Sequence, residues 1–190
     1  MGFFDKLFGG GKKDLNFTPS AELMPEDIFW NIIMTSFNEA AGETDLQEQS
    51  LAALLQKLPL QDVIAFQNRY RQLRGAAYNW PLWGAAYIIN GGCGDDGFCY
   101  FRDWLIAQGP EVYTKALADP ESLANLHLDE GQTEAEGMAY VAESVFEERT
   151  GEDLPAEYVE NYEISGNEWK EEGDDLARMF PTLWEKYNNE

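Results

Sequence analysis

The chain has 190 residues, 44% of them hydrophobic, and its six Trp, nine Tyr and eleven Phe supply enough apolar surface to offset the ordering of one domain, which excludes a disordered chain. Thirty-five Asp and Glu against thirteen Lys and Arg give a formal net charge of -22, a field that repels nucleic-acid phosphates and anionic lipid, so direct nucleic-acid binding is excluded. One histidine, two cysteines and no CxxC or HExxH spacing fall short of the four ligands that structural zinc wants, and neither a metal nor a cofactor is expected.

Residues 1 to 8 set Phe3, Phe4, Leu7 and Phe8 on one side of a short amphipathic turn, followed by three glycines and two lysines. This is expected to be a flexible tail, for which weak membrane contact is one use, because so short an anchor binds only marginally. Lys6 stands where N-myristoylation wants Ser or Thr. Residues 9 to 24 read as linker, so the expected organisation is a tail and linker over 1–24 and a single helical domain over 25–190. No signal-like stretch opens the chain, and the longest uncharged apolar run, Trp80 to Ile89, is far shorter than the roughly 20 residues that cross a bilayer. A reducing cytoplasm is the expected compartment.

From Pro25 onward the apolar spacing is helical. Phe29, Ile32, Ile33 and Phe37 recur at i, i+3, i+4 and i+8, the stripe of an amphipathic helix. Thr44 and Gln47 have the spacing of a capping box before Leu51, Leu54, Leu55 and Leu58, and Pro59 closes that helix. Val63, Phe66, Tyr70, Leu73 and Ala77 continue the pattern, with Arg69, Arg71 and Arg74 off that line as the densest basic patch of the folded region. Trp80-Pro81 restarts the chain into Leu82 to Ile89, apolar on nearly every side and therefore expected to be central.

Asn90, Gly91 and Gly92 stop that helix, Asp95 or Asp96 caps the next, and Phe98, Phe101 and Leu105 line its face. Gly109-Pro110 and Asp119-Pro120 each join a turn to a helix start. Thr133 to Glu136 repeats the capping-box spacing before Met138, Val141, Ala142 and Val145, Gly151 stands at a helix end, and Pro181 interrupts two last turns. After Pro155 the pattern loosens. With no alternating strand pattern and no repeat, the fold class is all-α, a single compact domain of about eight short helices.

The corner between Trp80 and Ile106 carries the residues that packing does not demand. Asp95 and Asp96 are adjacent carboxylates, and Arg102 is a lone cation among Phe98, Tyr100, Phe101 and Trp104. A guanidinium there needs a carboxylate, and Asp95, Asp96 and Asp103 are the local choices. The bland reading is an ion pair that fixes the corner. The sharper one is a binding cleft with Asp95, Asp96 and Arg102 as polar contacts and Trp83, Tyr87 and Tyr100 as walls. A phosphate cradle on the glycines is disfavoured by the two aspartates and by the lack of a GK[ST] sequence. Nucleophilic catalysis is disfavoured because the one histidine, His127, sits in a polar segment. No residue is assigned a catalytic role.

At these residues the chain resembles a bacterial family filed as domain of unknown function 4240. The likeness rests on Phe29, Trp30, Ile32 and Ile33, on LWGAAYIINGGCGDDGF (Leu82 to Phe98), on YFRDWLIAQGPEVY (Tyr100 to Tyr113), on ALADPESL and on VFEERTG ending at Gly151, over roughly residues 26 to 160. It implies a bacterial cytoplasmic helical domain and supplies no activity. By elimination, and because residues 129 to 190 hold nineteen acidic and four basic side chains, the expected function is a non-catalytic protein-interaction module, immunity-like or regulatory, with a basic protein partner. The alternative is an enzyme or small-ligand binder using the Gly-Asp-Asp corner and Arg102.

Overall fold

The computed structural model describes residues 16–128, 132–170 and 174–188. Among them the fold is all-α: nine α-helices, two 3-10 turns at Pro120–Asn125 and Glu136–Tyr140, and no strand, only two isolated parallel bridges. Residues 1 to 8, with their amphipathic spacing, lie outside the described residues.

Helix α1 (Glu26–Ala40) and α2 (Thr44–Leu55) form a hairpin, because Ala41 and Gly42 both take positive φ, 51° and 96°, and reverse the chain within three residues. The α1 stripe is buried as spaced, with Phe29, Ile32 and Ile33 facing the core. Helix α3 (Leu60–Ala76) starts behind Pro59 and lays Val63, Ile64, Phe66, Tyr70 and Leu73 inward; the rings of Phe29 and Phe66 meet at 4.8 Å. Helix α4 (Trp80–Ile89) opens on a true cap, the Asn79 side chain accepting from the amide of Leu82 at 2.9 Å.

Gly91 and Gly92 take positive φ, as the sequence demands, and deliver the chain to α5 (Asp95–Ala107). Helix α5, more than α4, is the centre: α1, α3, α4 and α6 (Pro110–Ala118) all pack on it, and every residue from Phe101 to Ala107 is buried. Helix α7 (Val141–Thr150) packs on α2 and α3 and ends at Gly151 in the left-handed conformation. After an irregular stretch, α8 (Asp175–Met179) and α9 (Pro181–Asn188) bring Leu176, Phe180 and Leu183 onto α4.

Three local expectations are corrected. Neither capping box forms: α2 has no side-chain cap and the Gln47 amide instead donates to the Ala107 carbonyl at 2.9 Å, while Thr133 turns its hydroxyl to Asn90. Tertiary partners thus outcompete the reciprocal local bonds. Asp95 and Asp96 lie inside the first turn of α5, where Gly94 is the cap and no side-chain cap bond is made. Residues 16–24 do not run free: Met24 is buried, Phe17 packs edge-on to Phe146 at 4.8 Å, and the Asn68 side chain donates to the carbonyls of Ser20 and Glu22.

Candidate functional site

Two guanidiniums and two carboxylates meet in the seam between α3 and α5. Arg74 comes from the last turn of α3, Arg102 and Asp103 from the middle of α5, and Glu160 from the irregular stretch after α7. Arg102 is 2% exposed and Glu160 6%. The Arg74 Nε lies 2.8 Å from Asp103 Oδ1, its Nη1 3.2 Å from Glu160 Oε2, and Arg102 Nη1 3.2 Å from Glu160 Oε1. Two cations against two anions leave the seam neutral, the condition under which charges tolerate burial.

The surroundings add further partners, although the buried Arg102 Nε has none among the described residues. Arg102 Nη1 also donates to the Arg74 carbonyl at 3.0 Å, an acceptor at the negative end of α3, and its Nη2 donates to the Cys99 sulfur at 3.3 Å. Its guanidinium carbon sits 4.7 Å over the Tyr78 ring and 5.3 Å over Phe98, so aromatic faces replace water as the cation's neighbours. The Tyr70 hydroxyl donates to Asp103 at 3.0 Å. Burial pushes the Asp103 carboxyl up to about 6, although Arg74 and Tyr70 pull it down. Burial also works against the Arg74 cation, but Asp103 and Glu160 more than offset it, and its pKa rises further. Burial, then Asp103, moves the Tyr70 phenol well above its ordinary value.

A cavity of about 420 Å³ lies beside this seam, between α3, α7 and the stretch from Ala156 to Tyr162. Arg71 and Arg74 contribute to its floor. Its rim carries three of the most exposed large apolar side chains of the described residues, Tyr140 at 56%, Val159 at 82% and Tyr162 at 71%. The arginines of α3, the densest basic patch of the folded region, are engaged with other parts of the fold. Arg69 donates to the Met24 carbonyl at 2.8 Å, Arg71 to the Ala156 carbonyl at 2.9 Å and to Glu143 at 3.0 Å, and Arg74 is held as above. They clamp the two chain segments that flank the bundle. Two other clefts are present, one of about 440 Å³ beside His127 and Glu134, and one of about 390 Å³ between α2 and α7 where Glu48 lies. Burial, then Asp45 and Glu136, raises the Glu48 carboxyl.

The six residues singled out from the sequence do not share one cleft. Asp95 and Asp96 are exposed in the first turn of α5, where negative charge suits the helix end. Arg102 turns away from both, and its carboxylate is Glu160, with Asp103 serving Arg74. Trp83 is stacked between Trp80 and Phe98 and donates to the Cys93 carbonyl at 2.8 Å; Tyr87 leans on Trp169 at 5.0 Å. The Tyr100 hydroxyl is bonded to Glu136, which raises its pKa. Cys93 and Cys99 are free thiols, and burial pushes Cys93 up to about 12. Sequence reasoning missed Glu160, which sits where the hydrophobic pattern loosens. The one signal was charge counting: Arg74, Arg102 and Asp103 on two core helices leave a cation in excess, so a further carboxylate had to come from elsewhere.

Among the described residues no cluster of three or more His, Cys, Asp or Glu could hold a metal ion, and no helix is long and apolar enough to cross a membrane. The family model described as "Protein of unknown function (DUF4240)" matches residues 24–148. No curated protein and no solved structure matches the chain.

Proposed function

We propose that this chain, which belongs to the DUF4240 family, is a non-catalytic protein-binding module, immunity-like or regulatory, that offers the cavity between α3, α7 and residues 156–162 to a partner with a basic surface. The observation that carries the reading is the rim. Single exposed apolar side chains are ordinary, but Tyr140, Val159 and Tyr162 stand together around one cavity of a strongly charged molecule. Tyrosine is enriched at interfaces because its ring gives contact area and its hydroxyl tolerates water when unbound.

Charge supports the second half of the reading. Glu143 and Glu157 contribute to the cavity lining, and residues 129 to 190 hold nineteen acidic side chains against four basic ones. Such a surface steers a basic partner and rejects acidic ones. The test is capture from the native cell by the wild type and by a Tyr140→Ala/Tyr162→Ala variant. A stoichiometric partner that is retained by the wild type, lost with both tyrosines and weakened by salt is expected. A partner held equally by the variant would remove the rim from the reading, and one indifferent to salt would remove the electrostatic part.

A further inference from the structure

The stretch from Gly151 to Glu168 lies on the bundle in an unusual way. Glu160 is the one buried side chain in it, and its neighbours Val159, Asn161 and Tyr162 are all exposed. Leu154 and Ala156 rest partly buried against the core, and most of the remaining hold on this strap is bonding to its backbone. The Tyr158 amide donates to the Asn68 side chain at 3.0 Å, Arg71 donates to the Ala156 carbonyl, the Ser165 amide donates to the Tyr78 carbonyl at 3.2 Å, and the Ser165 carbonyl accepts from the Trp80 amide at 2.9 Å. Gly75 of α3 lets the strap pass closely, since a Cβ there would stand 3.1 Å from the Asn161 nitrogen.

Backbone bonds plus one side chain in a specific pocket is how a protein holds an extended peptide: the main chain gives affinity, the pocket selects the residue. The pocket belongs to the family domain. Arg74, Arg102 and Asp103 fall within the matched residues 24–148, whereas Glu160 falls outside them. Without Glu160, the seam keeps two guanidiniums and one carboxylate, an uncompensated buried positive charge beside the Tyr78 and Phe98 rings.

We infer that Arg74 and Arg102 form a carboxylate-binding site for a glutamate on an extended peptide, and that the strap is the ligand which this chain supplies to itself. A glutamate-bearing segment of another protein gains the site when the strap lifts. This rests on the seam and does not depend on the rim of Tyr140, Val159 and Tyr162, so either reading can fail while the other stands.

The test uses the full chain carrying Glu160→Ala and a labelled peptide with the sequence of residues 154–168, followed by fluorescence anisotropy. The variant is expected to bind the peptide saturably and at least tenfold more tightly than the wild type, whose own strap competes. The same peptide with Gln in place of its buried glutamate is expected to lose that gain. A folded variant that treats the two peptides alike overturns the inference. Should Glu160→Ala fail to fold, Glu160→Gln keeps the side-chain shape and is put through the same comparison. Hydrogen exchange on the unaltered protein supplies an independent reading. The amides of Tyr158 and Ser165 are expected to exchange at least tenfold faster than that of Leu105 in α5, and exchange in step with α5 would make the strap an inseparable part of the bundle and overturn the inference.

Discussion

Helices α1 to α7 and the strap over residues 151–168 are held by different physics. The helices bury stripes of Phe, Ile, Leu and Val whose spacing follows the helical repeat, so apolar area is what holds each of them. The strap buries one carboxylate, rests only the partly buried Leu154 and Ala156 against the core, and spends its backbone groups on Ser20, α3 and the start of α4. A segment can therefore be fixed in place with little hydrophobic burial, provided that the body offers an unbalanced buried charge for it to neutralise. The same difference sets how each region fails. Losing a stripe residue leaves a cavity, whereas losing one member of the seam leaves an excess buried charge with little water.

The sharpest break comes from Arg102. Replacing it with Met keeps length but leaves Glu160 with Arg74 alone, and removing one partner of a buried ion pair costs about 3–5 kcal/mol. For a chain of this size that lowers the thermal midpoint by roughly 10 °C. The paired change Arg102→Met/Glu160→Leu removes both charges and is expected to recover more than half of the loss, because the cost lies in the orphaned ion rather than in the absent bond. A double variant as weak as the sum of its singles would show that the seam is held by packing instead.

Asp103 tests the same region through pH. Its carboxyl is raised from 3.8 to about 6 by burial, so the folded chain binds its proton more tightly than the unfolded one. The sign follows: the stabilisation is fully present below about 3.8 and is lost as pH rises through about 6, with a total on the order of 3 kcal/mol. Denaturant titrations from pH 4 to 7 should show the wild type losing stability relative to Asp103→Asn. A Tyr70→Phe variant, lacking the hydroxyl that favours the charged form, should move the Asp103 midpoint higher still when read by carbonyl NMR. A wild type and an Asp103→Asn variant that run parallel across that window would mean that Arg74 and Tyr70 fully offset burial.

These two regions also differ in what the sequence discloses. Phe29, Val63, Phe98 and Leu105 face inward as their spacing requires, and Gly109 and Gly151 begin and end helices where the chain says they should. A cation among aromatics must be accounted for, which marks out Arg102, yet the carboxylates within a few residues of it are not its partners. Glu160 is fifty-eight positions away in a segment with no periodicity, and nothing local to Glu160 sets it apart from the other glutamates of the acidic C-terminal third. The capping boxes failed for a related reason: Gln47 and Thr133 have the right neighbours in sequence and better ones in space. Local rules predict local bonds, and a buried carbonyl such as that of Ala107 takes precedence over them.

Asn68 joins the body to both flanking segments. Its amide donates to the Ser20 carbonyl at 2.7 Å and to the Glu22 carbonyl at 2.9 Å, while its oxygen accepts from the Tyr158 amide. Asn68→Ala should cost about 2 kcal/mol, since it removes three part-buried hydrogen bonds at once. The expected pattern in hydrogen exchange is specific: protection is lost at Tyr158, while α5 keeps most of its own. Uniform loss through α5 would show that strap and bundle unfold together and that the contrast between them is not energetic.

The smallest effect is expected at the corner that drew notice first. Asp95 and Asp96 are exposed, make no cap bond and only place negative charge at the positive end of α5. Replacing both with Asn keeps size and polarity, and the thermal midpoint should stay within about 2 °C of the wild type. Near-neutrality there, beside the loss at Arg102, would separate the two halves of the acid-and-guanidinium motif: the arginine belongs to the seam and the aspartates to the surface. A surface pair that contributes little to folding is free to serve recognition, so the same Asp95→Asn/Asp96→Asn protein should also be taken through the capture experiment. If it loses the partner while the Tyr140→Ala/Tyr162→Ala variant keeps it, the contact face lies at the start of α5 and not around the cavity.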